Sequence, residues 1–230
     1  MAFRSWSESL SRKIEICALQ IPGRSARLHE PAFRQMEPLV EAVTKEMLGR
    51  LEKPFAFFGH SMGATLSFEV ACRLRDEHGV EPQHLFVSGR RAPHRPCPPP
   101  IYDLPEPQFI EKLRSLKGTP EEVLEHQEFL QMLIPMLRAD FEVIETYKYS
   151  PRPALTCPIT ALGGLSDEKV GQEHLDAWRE LTSGAFSMHM FAGDHFFINS
   201  AQKELLQTIS NEIQPLLDRC ENSQQLIGSR

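Results

Sequence analysis

The sequence predicts an α/β domain built on a mostly parallel, doubly wound sheet. Three observations carry that expectation. Short apolar runs recur along the chain, helix-length amphipathic segments alternate with them, and one long helical block interrupts the alternation.

The apolar runs are Ile14–Gln20, Phe55–Gly59, Leu85–Gly89, Ile159–Gly163 and Phe186–Ala192. Most are bounded by Pro or Gly and are apolar on both faces, the pattern of parallel strands covered on two sides. Between them, Glu37–Leu51 places Leu39, Val40, Val43, Met47 and Leu48 at helical spacing. Ser61–Glu77 follows the second run directly, and Ala201–Leu217 closes the fold. Strand–helix alternation of this kind implies βαβ units. The exception begins after a stiff Pro-rich link, Arg95–Ile101. From Tyr102 to Tyr149 only helices are predicted: Pro107–Leu116, Pro120–His126 and Phe129–Tyr147. The block separates the third run from the fourth. We read residues 97–149 as a lid inserted into a single domain spanning 1–230, and lids commonly gate turnover. The polar stretch Glu221–Arg230 reads as a frayed tail.

With 41% hydrophobic residues among 230, a packed core is expected. The net charge of −6 argues against nucleic acid or an anionic membrane as partner. Five widely spaced cysteines, Cys17, Cys72, Cys97, Cys157 and Cys220, form no CxxC pair. They suggest free thiols in a reducing compartment. With no signal-like N-terminus and no long apolar stretch, the expectation is a cytoplasmic monomer.

Gly59-His60-Ser61-Met62-Gly63 is a G-x-S-x-G pentapeptide between an apolar strand and a helix-competent stretch. That is the setting of the nucleophile elbow of α/β-hydrolases, with Ser61 at the turn and the flanking glycines expected to relieve crowding. A serine hydroxyl needs a base. His195, in Gly193-Asp194-His195-Phe196-Phe197, follows the last strand and precedes the last helix. It therefore falls at the same sheet edge as Ser61. His60 would point away from Ser61, and His126, His174 and His189 lie in helical, polar or strand segments. The orienting acid should lie between serine and histidine in chain order. Asp167 follows the fourth run and meets that need. Its alternative is a helix cap. Asp194 adjoins His195 too closely to reach its ring well, and Asp140 lies in the insertion. The amide of Met62 is the expected oxyanion donor. No metal or redox cofactor is called for.

Further stretches extend the pattern: Gln20-Ile21-Pro22-Gly23-Arg24 with Arg27, Glu30 and Pro31; Val87-Ser88-Gly89-Arg90-Arg91-Ala92-Pro93; Leu137-Arg138-Ala139-Asp140-Phe141 through Tyr147; and Gly163-Gly164 before Asp167. Together with GHSMG and GDHFF they resemble the type II thioesterases that accompany non-ribosomal peptide and polyketide synthases. The resemblance implies an α/β-hydrolase that clears acyl groups from the phosphopantetheine arm of acyl or peptidyl carrier proteins, with Ser61, Asp167 and His195 as the triad. Vertebrate medium-chain fatty acyl thioesterases belong to the same family. A carboxylesterase or an acyltransferase would use the same triad. Carrier proteins are typically acidic, so Arg90, Arg91 and Arg95 with His94 form a candidate docking patch. In one respect the chain departs from the family. Met1–Trp6 aligns just after the usual first strand and its Gly-rich oxyanion loop. The expectation is a truncated start with half an oxyanion hole. The alternative of another class is an impaired form that only binds acyl-carrier protein.

Overall fold

The computed structural model describes residues 3, 5–116, 118 and 121–228, with side chains through Cys220. Its centre is a four-stranded sheet whose strands pair in sequence order, all parallel: β1 (Ala56–His60), β2 (His84–Ser88), β3 (Ile159–Gly164) and β4 (Phe186–Phe191). Side chains alternate across it as the pleat requires. Leu85, Val87, Ile159 and Ala161 face one layer, while Phe86 and Leu162 face the other.

The first layer is α3 (Met62–His78), the crossover from β1 to β2, with α7 (Gln172–Asp176) and the 3₁₀ turn Ala177–Leu181. Phe68 of α3 meets Trp178 edge to face at 5.6 Å, and both are fully buried. The opposite layer is α8 (Phe197–Ser200) and α9 (Gln202–Gly228), joined by α1 (Trp6–Ser9). Phe3 and Trp6 close on Phe58 of β1, with ring centroids 5.8 and 4.7 Å away. α2 (Met36–Leu48) packs beside α3 in a third apolar cluster. Both faces of the sheet are thus covered, which is why its central strands carry so few polar residues.

The all-helical block is present between β2 and β3: α4 (Glu106–Leu116), α5 (Glu121–Glu125) and α6 (Gln127–Glu145). Pro120, expected to open the second of these helices, lies outside the described residues. The block has a core of its own around Phe109, Leu113, Leu124, Leu130 and Ile134. Both of its ends are tied down. Glu145 Oε2 accepts the amides of Ile101 and Tyr102 at 2.8 and 2.9 Å. Beyond α6, Tyr147 Oη and Arg152 donate to the buried carboxylate of Glu69 on α3. Arg24, in the loop before α2, pairs with Asp140 of α6 at 2.5 Å.

Two expectations are corrected. Ile14–Gln20 forms no strand, since among the described residues it pairs with none of the sheet's four strands. Ile14 and Ile16 instead pack on the α9 layer, while Leu19 is 54% exposed. At the other end, α9 runs through Gly228, so helix replaces the expected fray up to that point. Among the described residues, no helix is long and apolar enough to cross a membrane.

Candidate active site

Parallel strands bring all their carboxyl ends to one rim. Ser61 sits there, between β1 and α3, with φ 53° and ψ −118°. Such a conformation costs an L-residue on the order of 1–3 kcal/mol and persists only where the surroundings impose it. Here the Ser61 amide donates to Ser88 O at 2.8 Å, and α3 begins at the next residue. The two flanking glycines differ. A Cβ at Gly59 would stand 2.1 Å from Gly63 O, so the elbow cannot form with any larger residue. A Cβ at Gly63 meets nothing within 4 Å, so the crowding expected on that side is absent. Met62 is the first helical residue. Its amide, at the positive end of α3, has no acceptor among the described residues.

Asp167 and His195 come from the loops after β3 and β4, and these loops are stitched together. Ser166 N–H donates to Gly193 O at 2.9 Å, and a Cβ at Gly164 would lie 2.2 Å from Asp194 O. His195 Nδ1 lies 2.7 Å from Asp167 Oδ2. The other carboxylate oxygen accepts the amides of Lys169 and Val170 at 3.0 and 3.2 Å. Asp167 is therefore not the helix cap considered as its alternative, since α7 begins at Gln172 after Gly171; it ties its own turn and contacts the imidazole as well. Burial pushes its pKa upward, but the bonds from His195, Lys169 and Val170 outweigh that and hold the carboxyl below its ordinary value. An ionised carboxylate only accepts, so Nδ1 carries the proton and Nε2 keeps its lone pair. Asp194 turns elsewhere, accepting the Phe196 amide at 2.9 Å.

The imidazole's hydrogen bond goes to Asp167, and none joins it to the Ser61 hydroxyl among the described residues. Such contacts are often long before substrate binds. Ser61 and His195 nonetheless flank the same residues. His60, adjacent to Ser61, has its ring 5.0 Å from that of His195, and the Ser88–Gly89 turn touches both. His60 does not project into solvent, and spacing alone gave no sign of this contact. The helical insertion reaches the same place: a Cβ at Gly118 would lie 2.6 Å from Phe196 Cζ.

The candidate basic patch is only partly available. Glu180 pairs with Arg95 and lies 3.2 Å from His94. Arg90 turns toward Cys97 Sγ at 3.7 Å. Arg91 donates to the carbonyls of Pro96 and Lys169 and has no carboxylate partner among the described residues.

Comparison with known proteins gives the family. The Thioesterase domain family matches residues 1–213. A protein of Brevibacillus parabrevis named linear gramicidin dehydrogenase LgrE is 46% identical over 94% of this chain and 83% of its own length. The solved RedJ thioesterase of the prodiginine pathway in Streptomyces coelicolor is 39% identical, with a TM-score of 0.86 over 92% of this chain and 80% of its own. The type II thioesterase BorB from the borrelidin cluster is 37% identical, with a TM-score of 0.77 over 84% and 79%. The fold is that of the α/β-hydrolases, and the chain belongs to the thioesterase family.

Proposed function

We propose that the chain hydrolyses acyl thioesters held on the phosphopantetheine arm of carrier proteins in peptide or polyketide assembly. The observation that carries this reading is the Asp167–His195 bond at the sheet rim, beside a serine in strained elbow geometry. In the mechanism, His195 Nε2 takes the Ser61 proton as Oγ attacks the thioester carbonyl. The Met62 amide donates to the developing oxyanion. The C–S bond then breaks, the thiol leaves with the proton from His195, and an acyl-serine remains. Water, deprotonated by His195, attacks that ester, and the acid departs as Ser61 recovers its proton. Asp167 stabilises the imidazolium in both halves. The insertion, touching the site at Gly118, acts as the lid of a single domain. One relative bears the name of a dehydrogenase. In this chain no two glycines stand two apart, so the Gly-x-Gly phosphate turn of dinucleotide sites is missing, and a serine opens the first crossover helix.

The test is hydrolysis of acyl-carrier protein beside a p-nitrophenyl ester, with Ser61→Ala as control and fluorophosphonate labelling of Ser61. Preference for carrier thioester and loss of activity in Ser61→Ala are expected. Ester preference would point to a carboxylesterase. A folded chain that binds carrier protein without labelling or turnover would be a binder only.

A further inference from the structure

His195 rests on a second imidazole that the mechanism above does not use. His60 is the last residue of β1 and pairs in register with Ser88 at the end of β2. Its Nδ1 lies 2.9 Å from Ser88 Oγ, and Ser88 is fully buried. The ring stands 5.0 Å from that of His195 at 48°, with Phe196 and Phe197 at 6.1 and 6.0 Å completing the enclosure. Nε2 is buried and has no hydrogen-bond partner among the described residues. A buried polar atom left unsatisfied costs on the order of 1–3 kcal/mol, so its retention calls for an explanation.

Room for the paired rings comes from Gly89, whose φ is +59°. A Cβ there would lie 2.7 Å from His60 Cε1 and 3.3 Å from His195 Cε1. Ser88 bonds the His60 ring, and Gly89 leaves space chiefly for that ring and, by a smaller margin, for His195 beside it.

We propose that His60 is a positioning residue for the base: oriented by Ser88, it fixes the ring plane of His195 and keeps water from its buried side. This rests on the triad reading above. The groups around His60 explain why it can serve. Ser88, Phe196 and Phe197 are uncharged, and the titratable groups acting on it are His195 and Asp167. Burial first, and then the neighbouring His195, push its pKa down to about 3, against the opposite pull of Asp167. When His195 takes the serine proton, it therefore faces a neutral ring and not a second cation.

The experiment measures pH–rate profiles of kcat and kcat/KM on a small acyl thioester for the parent, His60→Ala, His60→Phe and Ser88→Ala. In His60→Ala, water gains access to His195 and eases its protonation. The acid limb of kcat/KM should rise by at least about 0.5 pH unit. Its kcat should fall about tenfold at neutral pH, with KM within about twofold of the parent. His60→Phe keeps the wall and should hold the limb near its parent position. Ser88→Ala frees the ring and should move the limb in the same direction by less. An acid limb in folded His60→Ala within about 0.2 unit of the parent overturns the proposal. If that variant does not fold, an unmoved limb in Ser88→Ala overturns it equally. Activity persisting in Ser61→Ala would sink the triad reading instead, so the two failures are distinguishable.

Discussion

Replacing Asp167 by Asn should be far more damaging than its near-isosteric shape suggests. In the parent, Oδ1 accepts two backbone amides, from Lys169 and Val170, and Oδ2 accepts His195 Nδ1–H. An amide side chain has one acceptor and one donor end. Two fixed N–H groups claim the carbonyl oxygen, so the NH₂ is turned toward His195. It then donates to Nδ1 and forces the proton onto Nε2, the nitrogen that must accept from Ser61. The base is thereby held in the wrong tautomer by the same turn that positioned the acid. An effect of this type costs about 10⁴-fold in kcat, and four decades correspond to about 5 kcal/mol of transition-state stabilisation. Steady-state kinetics on an acyl thioester, with thermal unfolding as a check, would measure it. The expected result is a collapse in kcat with KM and fold retained, since the two backbone bonds survive. A loss below tenfold, or one confined to KM, would refute the assignment of Asp167 as orienting acid.

Three further outcomes follow from buried groups and from the insertion. Cys72 and Cys157 are buried, and desolvation pushes both thiols up to about 12. Ellman's reagent should therefore react with the exposed Cys17 and Cys97 in the native protein and reach the other two only on unfolding. Four or more fast thiols would contradict the packing. His84 is buried against Thr160 Oγ1 at 2.8 Å, and burial lowers its pKa to about 4, with Glu212 acting in the opposite direction. Because the unfolded chain binds this proton first, its contribution is complete above pH 6.5 and fades as pH falls toward 4. That amounts to about 3 kcal/mol over the interval. Urea midpoints across that range should fall less steeply in His84→Gln, and identical slopes would show that His84 is not responsible. Finally, Arg24 and Asp140 join the loop before α2 to the insertion. A double-mutant cycle to Ala should give a coupling of about 1 kcal/mol in stability, and a value under about 0.3 would show that the contact is idle.

What could be read beforehand follows from which contacts are local. The elbow is encoded in five consecutive residues, and the sequence around Gly59–Gly63 carries both the strand before it and the helix after it. Asp167 and His195 were legible because each follows a buried apolar run directly, so strand order alone places them on one rim. Ile14–Gln20 shows the limit. Its apolar alternation has the same origin as that of a strand, two side chains turned toward a core, but pairing depends on a neighbour that periodicity does not register. The length of α9 was misjudged because its last turns are polar, and polarity alone does not end a helix. The surroundings of His60 were hidden for a different reason. Its partners, Ser88, His195 and the Phe196–Phe197 pair, lie 28 to 137 positions away along the chain. No spacing rule links residues that meet only because one sheet is flanked by a particular turn.

The backbone ties at the rim show where the site is firm and where it can yield. Gly89 N–H donates to Leu162 O at 2.8 Å, Leu165 N–H to Phe191 O at 2.8 Å and Ser166 N–H to Gly193 O at 2.9 Å. The hydrogen-bond ladder between β3 and β4 thus continues past the strand ends into the loops that carry Asp167 and His195. Acid and base are thus tied through the backbone of both loops as well as by their own 2.7 Å bond. Ser61 belongs to the other side, bound through its amide to Ser88 and through its chain to α3. Ser61 and the Asp167–His195 pair are therefore held by different bonds of one continuous sheet edge, and they meet at the Ser88–Gly89 turn and the His60 ring. That junction is where no hydrogen bond closes the triad among the described residues, and the insertion touches it through Phe196. Under the lid role proposed above, the approach of Gly118 to Phe196 places the insertion against the gap between Ser61 and His195, away from the Asp167–His195 bond.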